Sequence, residues 1–352
     1  MHDYLSIKGL QTLSIPLADG GEGSLAILYE KGNLHKEVLK TSDPLGRIIP
    51  SYYLTTLDRK EAFIELAISS GIELLDINDR NPLYTSTKGT GILIDRAINN
   101  GAKEVNLFIG SSSTNDAALG MAQKLGYRFY NQNGIIDNPT GKDLYHILKI
   151  EKPLLEYKAV NFRVICDVKN PFFGPQGAAF VYGKQKGANQ DEIDFLDEGL
   201  KNINRLFLRD LGKDVSVLER AGAAGGIGGG MVSFFNAELI SGFEFMSNLE
   251  DFEQKVKISD VIITGEGKLD EQSMQGKVVI NVVTLARKYH KKVIIVCGIN
   301  ELPVELVKEL KLDCIIELKN YGRPNEISVE NTQLQIKEAS EDLVQIIIND
   351  SI

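Results

Sequence analysis

Carboxylates, lysines and glycines recur together where short apolar runs end, a combination suited to binding phosphate and divalent cations. Val261–Thr264 is an apolar, β-prone stretch with the composition of a strand buried on both faces. Gly265, Glu266 and Gly267 follow it, and then Lys268, Asp270 and Lys277 lead into a helical pattern. Glycine lets backbone approach a ligand closely, and a helix N-terminus offers unpaired N–H groups to phosphate. Carboxylates beside such groups suit a Mg2+–nucleotide complex. An ordinary strand-to-helix loop is the alternative, with acids as caps and glycines as turns.

Five further stretches carry some of the same residue types. Pro16–Gly23 sets Asp19 and Glu22 among Gly20, Gly21 and Gly23 ahead of the apolar Leu25–Leu28, and taken alone it reads first as a capped turn. Gly110-Ser-Ser-Ser-Thr-Asn-Asp116 follows an apolar run ending at Ile109. Capping explains one or two of its polar groups but not seven successive small or polar residues, so an anion site and a capped loop both stay open. Asp167 follows Val164–Cys166, where it could serve a site or cap a turn; Lys184 and Lys186 lie between Gly183 and Gly187, by default a solvated loop. Gly225-Gly-Ile-Gly228 nearly matches a dinucleotide fingerprint, but no strand immediately precedes it.

Several chemistries are excluded. There is no Gly-x4-Gly-Lys-Ser/Thr loop, no protein-kinase signature set, no His-Glu-x-x-His and no Gly-x-Ser-x-Gly. His2, His35, His146 and His290 lie outside every constellation, which argues against histidine base chemistry. A net charge of −9 without a dense basic block argues against nucleic acid. Cys166, Cys297 and Cys314 adjoin β-branched runs without metal-type spacing and read as buried, reduced thiols. No stretch approaches the ~18 apolar residues of a membrane span, and the N-terminus has no signal-peptide pattern, so a cytoplasmic protein is expected.

The elements that must hold these residues alternate between strand and helix. Strand-like runs are Thr12–Ile15, Ser51–Thr55, Glu104–Ile109, Arg163–Cys166, Val261–Thr264, Lys292–Cys297 and Cys314–Leu318. Helical patterns cover Gly91–Asn99, Asp116–Leu125, Gln190–Leu208, Gly230–Ser241, Val278–Tyr289 and Gln333–Ile348. The alternation predicts an α/β protein of two lobes: a doubly wound, Rossmann- or flavodoxin-like parallel-sheet domain, and a second mixed α/β domain. Pro44-Leu-Gly-Arg47 between two short alternating runs predicts a β-hairpin in the second lobe. The expected division is residues 1–36 with 222–352 for the doubly wound domain and 37–221 for the other.

Assembled in order, these motifs resemble the type 1 glycerate kinases. The matching blocks are Pro16–Gly23, Pro44-Leu-Gly-Arg47, Glu65-Leu-Ala with Ser70-Gly71, Arg80-Asn-Pro-Leu83 with Gly89-Thr-Gly91, and Ser112-Ser-Thr-Asn-Asp116. They continue with Cys166-Asp-Val and Asn170-Pro171, Gln185-Lys-Gly-Ala188, Gly222-Ala-Ala-Gly-Gly226, and Ile263-Thr-Gly-Glu-Gly267 with Asp270, Gln272 and Gly276-Lys277. The resemblance implies Mg2+-dependent transfer of the ATP γ-phosphoryl group to D-glycerate, giving 2-phosphoglycerate or 3-phosphoglycerate, in a monomer or homodimer. It suggests Asp167, Asp270 and Lys277 as catalytic residues, and Arg47, Arg80, Asn115 and Lys186 as substrate ligands. Asp19, Gly20, Gly21, Glu22, Gly265, Glu266 and Gly267 would hold nucleotide phosphates, and Asp116 and Glu266 the metal.

Departures accompany the match. The family opens with a strand, an Asp-Ser-Phe-Lys-Gly-Ser turn and a long helix ahead of Pro-Leu-Ala-Asp-Gly-Gly; the fifteen residues before Pro16 carry no such turn. Weaker Mg–ATP binding, lower stability and lower activity are expected in its absence. Ser111, Ala117 and Ala118 stand where the family loop has glycine, Glu271 stands in place of a glycine, Gln275 in place of a His and Lys184 in place of a Pro. The missing opening turn motivates a second reading, a truncated or non-catalytic paralogue that keeps the fold and binds nucleotide. A nicotinamide-dependent oxidoreductase, resting on the glycines at 225–230, is a third.

Overall fold

The structure, a computed structural model, describes residues 1–348 other than 18–20, 22, 31, 155, 156, 158, 271, 272, 274–277, 311 and 324–327. The chain divides into two compact units, one of residues 18–242 and one of residues 1–17 with 243–352. Residues 18–36 and 222–242, expected with the C-terminal domain, therefore belong to the other unit.

In the 18–242 unit, β1 (Leu34–Ser42) and β2 (Ile48–Thr56) form the expected hairpin, running from Leu34↔Thr56 to Ser42↔Ile48. Its turn is set by one side chain: an Asp43 carboxylate oxygen accepts from the backbone N–H groups of Leu45 (2.9 Å) and Arg47 (2.8 Å). Next come β3 (Glu61–Glu65), β4 (Glu104–Phe108), a small antiparallel sheet of β5 (Arg128–Asn131), β6 (Gly134–Ile135) and β7 (Lys149–Glu151), then β8 (Asn161–Ile165) and β9 (Glu238–Ile240). The main sheet has the order β1-β2-β3-β4-β8-β9, and β3, β4, β8 and β9 are parallel. The ends of these four strands thus fall on one edge, where a parallel α/β sheet collects its loops.

One core cluster joins Ala62 and Ile64 of β3, Val105 and Leu107 of β4 and Phe162 and Val164 of β8 to Leu93, Ile94 and Ala97. The latter three lie on the amphipathic helix Lys88–Asn99, spaced to share one face. A second cluster forms on the helix Gln190–Leu206 through Ile193, Leu196, Leu200 and Ile203. Asn189 and Glu192 start that helix as a reciprocal capping box. The helix expected over Gly230–Ser241 instead lies within Ala223–Phe235, a span broken by non-helical backbone at Ala224, Gly225 and Gly226, and is followed by β9, a strand too short for its pattern to register in the sequence.

The other unit holds a parallel sheet of β10 (Val261–Leu269), β11 (Lys292–Asn300) and β12 (Cys314–Glu317) in that order. Alternate residues of β11 enter opposite cores. Val293, Ile295 and Cys297 pack with the helix Val278–Lys288, whereas Ile294 packs with the helices His2–Ile7 and Val329–Ile348. Helices on both faces make this the doubly wound unit, and each fully buried aliphatic side chain contributes about 1.5–3 kcal/mol. Thr12–Ile15, expected as a strand, is irregular, and Ile15 packs against the first of these cores.

Candidate active site

The loops that leave the main sheet are built from their own side chains. After β4, Ser112 Oγ lies 3.0 Å from Thr114 Oγ1, and Ser113 donates through both its N–H (3.0 Å) and its hydroxyl (2.9 Å) to the Ser70 carbonyl. Asp116 is fully buried, and its carboxylate accepts from Thr87 N–H and hydroxyl (2.8 Å each), Ala118 N–H (3.2 Å) and Gly120 N–H (3.3 Å). Burial pushes this carboxyl above its ordinary range, and the donors pull it back. With its oxygens committed to four donors, Asp116 is a loop clamp and does not fit the expected role of metal ligand.

The second loop interlocks with the first. Ala224, Gly225 and Gly226 are successive left-handed residues, and the Gly225 carbonyl accepts from Ala117 N–H at 3.1 Å. A Cβ on Gly225 would lie 2.0 Å from the Thr114 carbonyl oxygen. This close backbone approach accounts for the glycine, which marks packing rather than a dinucleotide turn. Ser111, Ala117 and Ala118 also have positive φ, at 57°, 49° and 63°.

Together these loops border a cleft of about 710 Å3 lined by Arg80, Ser111, Ser112, Asp167, Gln185 and Lys186, with Gly21 also on its wall. The Arg80 side chain is 22% exposed, bonds the Leu75 carbonyl through Nε (3.2 Å) and stands 3.6 Å from Glu73. Arg47, paired with it as a carboxylate ligand, sits apart on the hairpin turn. It bonds Asp43 and Asp79, is half exposed and does not line the cleft. Asp167 Oδ1 accepts from Gly242 N–H at 2.8 Å. Neighbouring Cys166 is held as a thiol, its pKa pushed up to about 12 by burial. Asn115 is fully buried and does not line the cleft, and neither polar atom of its amide has a hydrogen-bond partner among the described residues.

Lys186 is 2% exposed, not the solvated loop residue its surroundings in sequence suggest. Its Nζ donates to the Thr114 carbonyl at 2.6 Å, and burial brings its pKa down to about 7 against the opposing pull of Asp116. Glu65 at the end of β3 also went unassigned. Its two oxygens accept from Gly23 N–H (3.1 Å) and Leu25 N–H (3.0 Å), tying the start of the helix Ser24–Glu30 to the sheet. That bond spans some 40 residues of chain, so no local pattern announces it. Asp19, Gly20, Glu22 and Lys277 lie outside the described residues.

In the doubly wound unit the expected turn is a strand. Gly265, Glu266 and Gly267 continue β10, with Gly265 opposite Val296 and Glu266 opposite Cys297. A Cβ on Gly265 would lie 2.1 Å from the Val296 carbonyl oxygen, so this glycine too answers a close approach. Glu266 Oε1 is buried without a hydrogen-bond partner among the described residues, a donor atom that suits a cation. Asp270 closes the turn after β10 through Ser273, each accepting from the other's N–H at 3.2 Å. Among the described residues no three His, Cys, Asp or Glu side chains cluster as a ready-made metal cage.

A sequence profile described as the glycerate kinase family matches residues 4–348. The chain belongs to the glycerate kinase family. It is 40% identical over 306 residues to a glycerate kinase of Halalkalibacterium halodurans, covering 86% of this chain and 80% of the relative. It is 37% identical over 310 residues to the glycerate 2-kinase of Escherichia coli, covering 88% and 81%. A crystal structure of a Salmonella typhimurium LT2 protein, provisionally named glycerate kinase 2, superposes with a TM-score of 0.83 at 32% identity over 100% of this chain and 93% of that one. The structural match bears out a mixed α/β fold, and membership bears out an ATP-dependent kinase and leaves the oxidoreductase reading without support. No helix among the described residues is long and apolar enough to cross a membrane.

Proposed function

We propose that the protein is a cytoplasmic, ATP-dependent glycerate kinase that forms 2-phosphoglycerate from D-glycerate. The observation that carries this reading is a cleft in the 18–242 unit where a guanidinium, an amine and a carboxylate, those of Arg80, Lys186 and Asp167, share one wall. Arg80 is assigned to the substrate carboxylate, because a planar guanidinium binds it bidentately and Arg47 does not line the cleft. Asp167 orients the acceptor hydroxyl. Asp270, Lys277, Asp19 and Glu22 are assigned to the phosphates of the nucleotide.

Glu266 is the side chain assigned to Mg2+, which when bound draws off charge from the β- and γ-phosphates. A dedicated cage is not required, since Mg2+ is commonly held by one or two carboxylates together with substrate phosphates. The replaced loop glycines do not count against this reading, since Ser111, Ala117 and Ala118 all take up the left-handed backbone that glycine would supply. The name of the Escherichia coli relative favours the 2-phosphate. Incubation with Mg–ATP and D-glycerate, coupled to enolase alone or to phosphoglycerate mutase and enolase, tests both claims. Signal with enolase alone is expected; ADP release independent of glycerate would contradict the reading.

A further inference from the structure

We propose that Lys186 is the proton acceptor for the attacking hydroxyl, and not a charged anchor for substrate; this rests on the kinase reading above. The geometry isolates its amine. The side chain is 2% exposed, and its recorded partner is a neutral carbonyl, that of Thr114 at 2.6 Å, which an NH2 group satisfies as well as an ammonium does. Among the described residues no carboxylate lies within ion-pairing distance of Nζ, whereas other lysines of this chain, such as Lys201 and Lys255, pair with acids at 3.0 Å.

Among the charged groups around Lys186, the one that acts on it favours an ammonium and is outweighed by burial. Asp116, from the loop after β4, is the one whose charge draws its proton on, and that carboxylate is committed to four other donors. Arg80, whose carbonyl packs against Gly187, and Glu73 beside it share the cleft wall, as do Asp167 after β8 and Tyr182. An isolated buried ammonium is costly, so the amine gives up its proton near neutrality, where a general base is most effective.

In the step itself, the Nζ lone pair accepts the proton of the glycerate hydroxyl as its oxygen bonds to the γ-phosphorus. The bond from that phosphorus to the β,γ-bridging oxygen breaks, and ADP leaves with the electron pair. The ammonium loses its proton to solvent after product departs.

The test compares wild type with Lys186→Arg and Lys186→Ala in the full chain. Wild-type kcat should rise with pH through an inflection near 7. Lys186→Arg, which keeps charge and cannot deprotonate, should lose about 10²–10⁴ in kcat with glycerate affinity held within a few-fold by calorimetry. Should the arginine variant fail to fold, Lys186→Ala serves, with ethylamine expected to restore turnover in its neutral form. A readout apart from turnover is competitive acetylation of Lys186 read by mass spectrometry, with half-reactivity expected near pH 7. Retained kcat in Lys186→Arg, a loss confined to glycerate affinity, no amine rescue of a folded Lys186→Ala, or half-reactivity near 10 would each overturn the proposal. Turnover with half-reactivity near 10 overturns this inference alone; no glycerate-dependent turnover at all overturns the kinase reading and this inference with it.

Discussion

The Gly110–Asp116 loop and the Gly265–Gly267 segment looked alike in sequence, each an apolar run passing into small and acidic residues, yet they fold differently. After β4 the chain turns at once, and its hydroxyls and carboxylate are spent within the protein, with Ser113 bonded to the Ser70 carbonyl and Asp116 holding four donors, two of them from Thr87. After Thr264 the chain does not turn. Gly265, Glu266 and Gly267 pair with β11, and Glu266 keeps a buried oxygen without a partner among the described residues. A polar residue at a strand end can therefore hold the scaffold or remain open for chemistry, and its bonding partners distinguish the two.

The contrast is sharpest between Asp116 and Asp270. Under the proposed assignment of Asp270 to the nucleotide phosphates, Asp270→Asn is expected to lower kcat by about 10²–10³ with a smaller effect on melting temperature, because the amide oxygen still accepts from Ser273 N–H. Asp116→Asn should instead lose stability by about 1–3 kcal/mol, because an amide cannot serve four donors in a buried site. Urea denaturation beside steady-state kinetics separates the two effects; a folded Asp116→Asn that has lost only metal-dependent rate would break the comparison.

Two glycines make a second pair. Gly225→Ala, at φ +74° with its Cβ 2.0 Å from a carbonyl oxygen, should cost about 3 kcal/mol or more. Gly267→Ala meets nothing within 4 Å and should shift stability by less than about 1 kcal/mol. Denaturation midpoints of the two variants check this directly.

Lys186 also gives stability a pH dependence. The unfolded chain holds its proton up to about 10.5 and the folded protein only up to about 7. Between those values the unfolded state binds more protons, so stability should rise with pH across that window. Lys186→Met should remove this rise and stabilise the protein most below pH 7. The smallest expected effect is at Ala118, whose left-handed φ of 63° strains any residue with a Cβ. Ala118→Gly should stabilise by about 0.5–1 kcal/mol in the same denaturation assay.

Much of this molecule was legible from its residues. The parallel strands of the doubly wound unit show as β-branched runs because both faces are buried, and the Pro44–Arg47 turn shows because Asp43 and Gly46 shape it locally. What escaped was non-local. Glu65 acts on a helix some 40 residues away, Lys186 is buried by a loop 72 residues earlier in the chain, and β9 is recruited to the sheet by β8 alone. The glycines of β10 misled for a physical reason: close packing between strands and close approach to a ligand both require a missing side chain, and composition cannot separate them.

The central claim is that glycerate is held in the cleft of the 18–242 unit by Arg80 and not by Arg47. Glycerate-dependent ADP release, measured across glycerate concentration for wild type, Arg80→Ala and Arg47→Ala, tests it most directly. Losing a charge-assisted pair should raise KM for glycerate about 10–100-fold in Arg80→Ala, with Arg47→Ala close to wild type. The reverse ranking, or a wild-type rate indifferent to glycerate, would contradict the account.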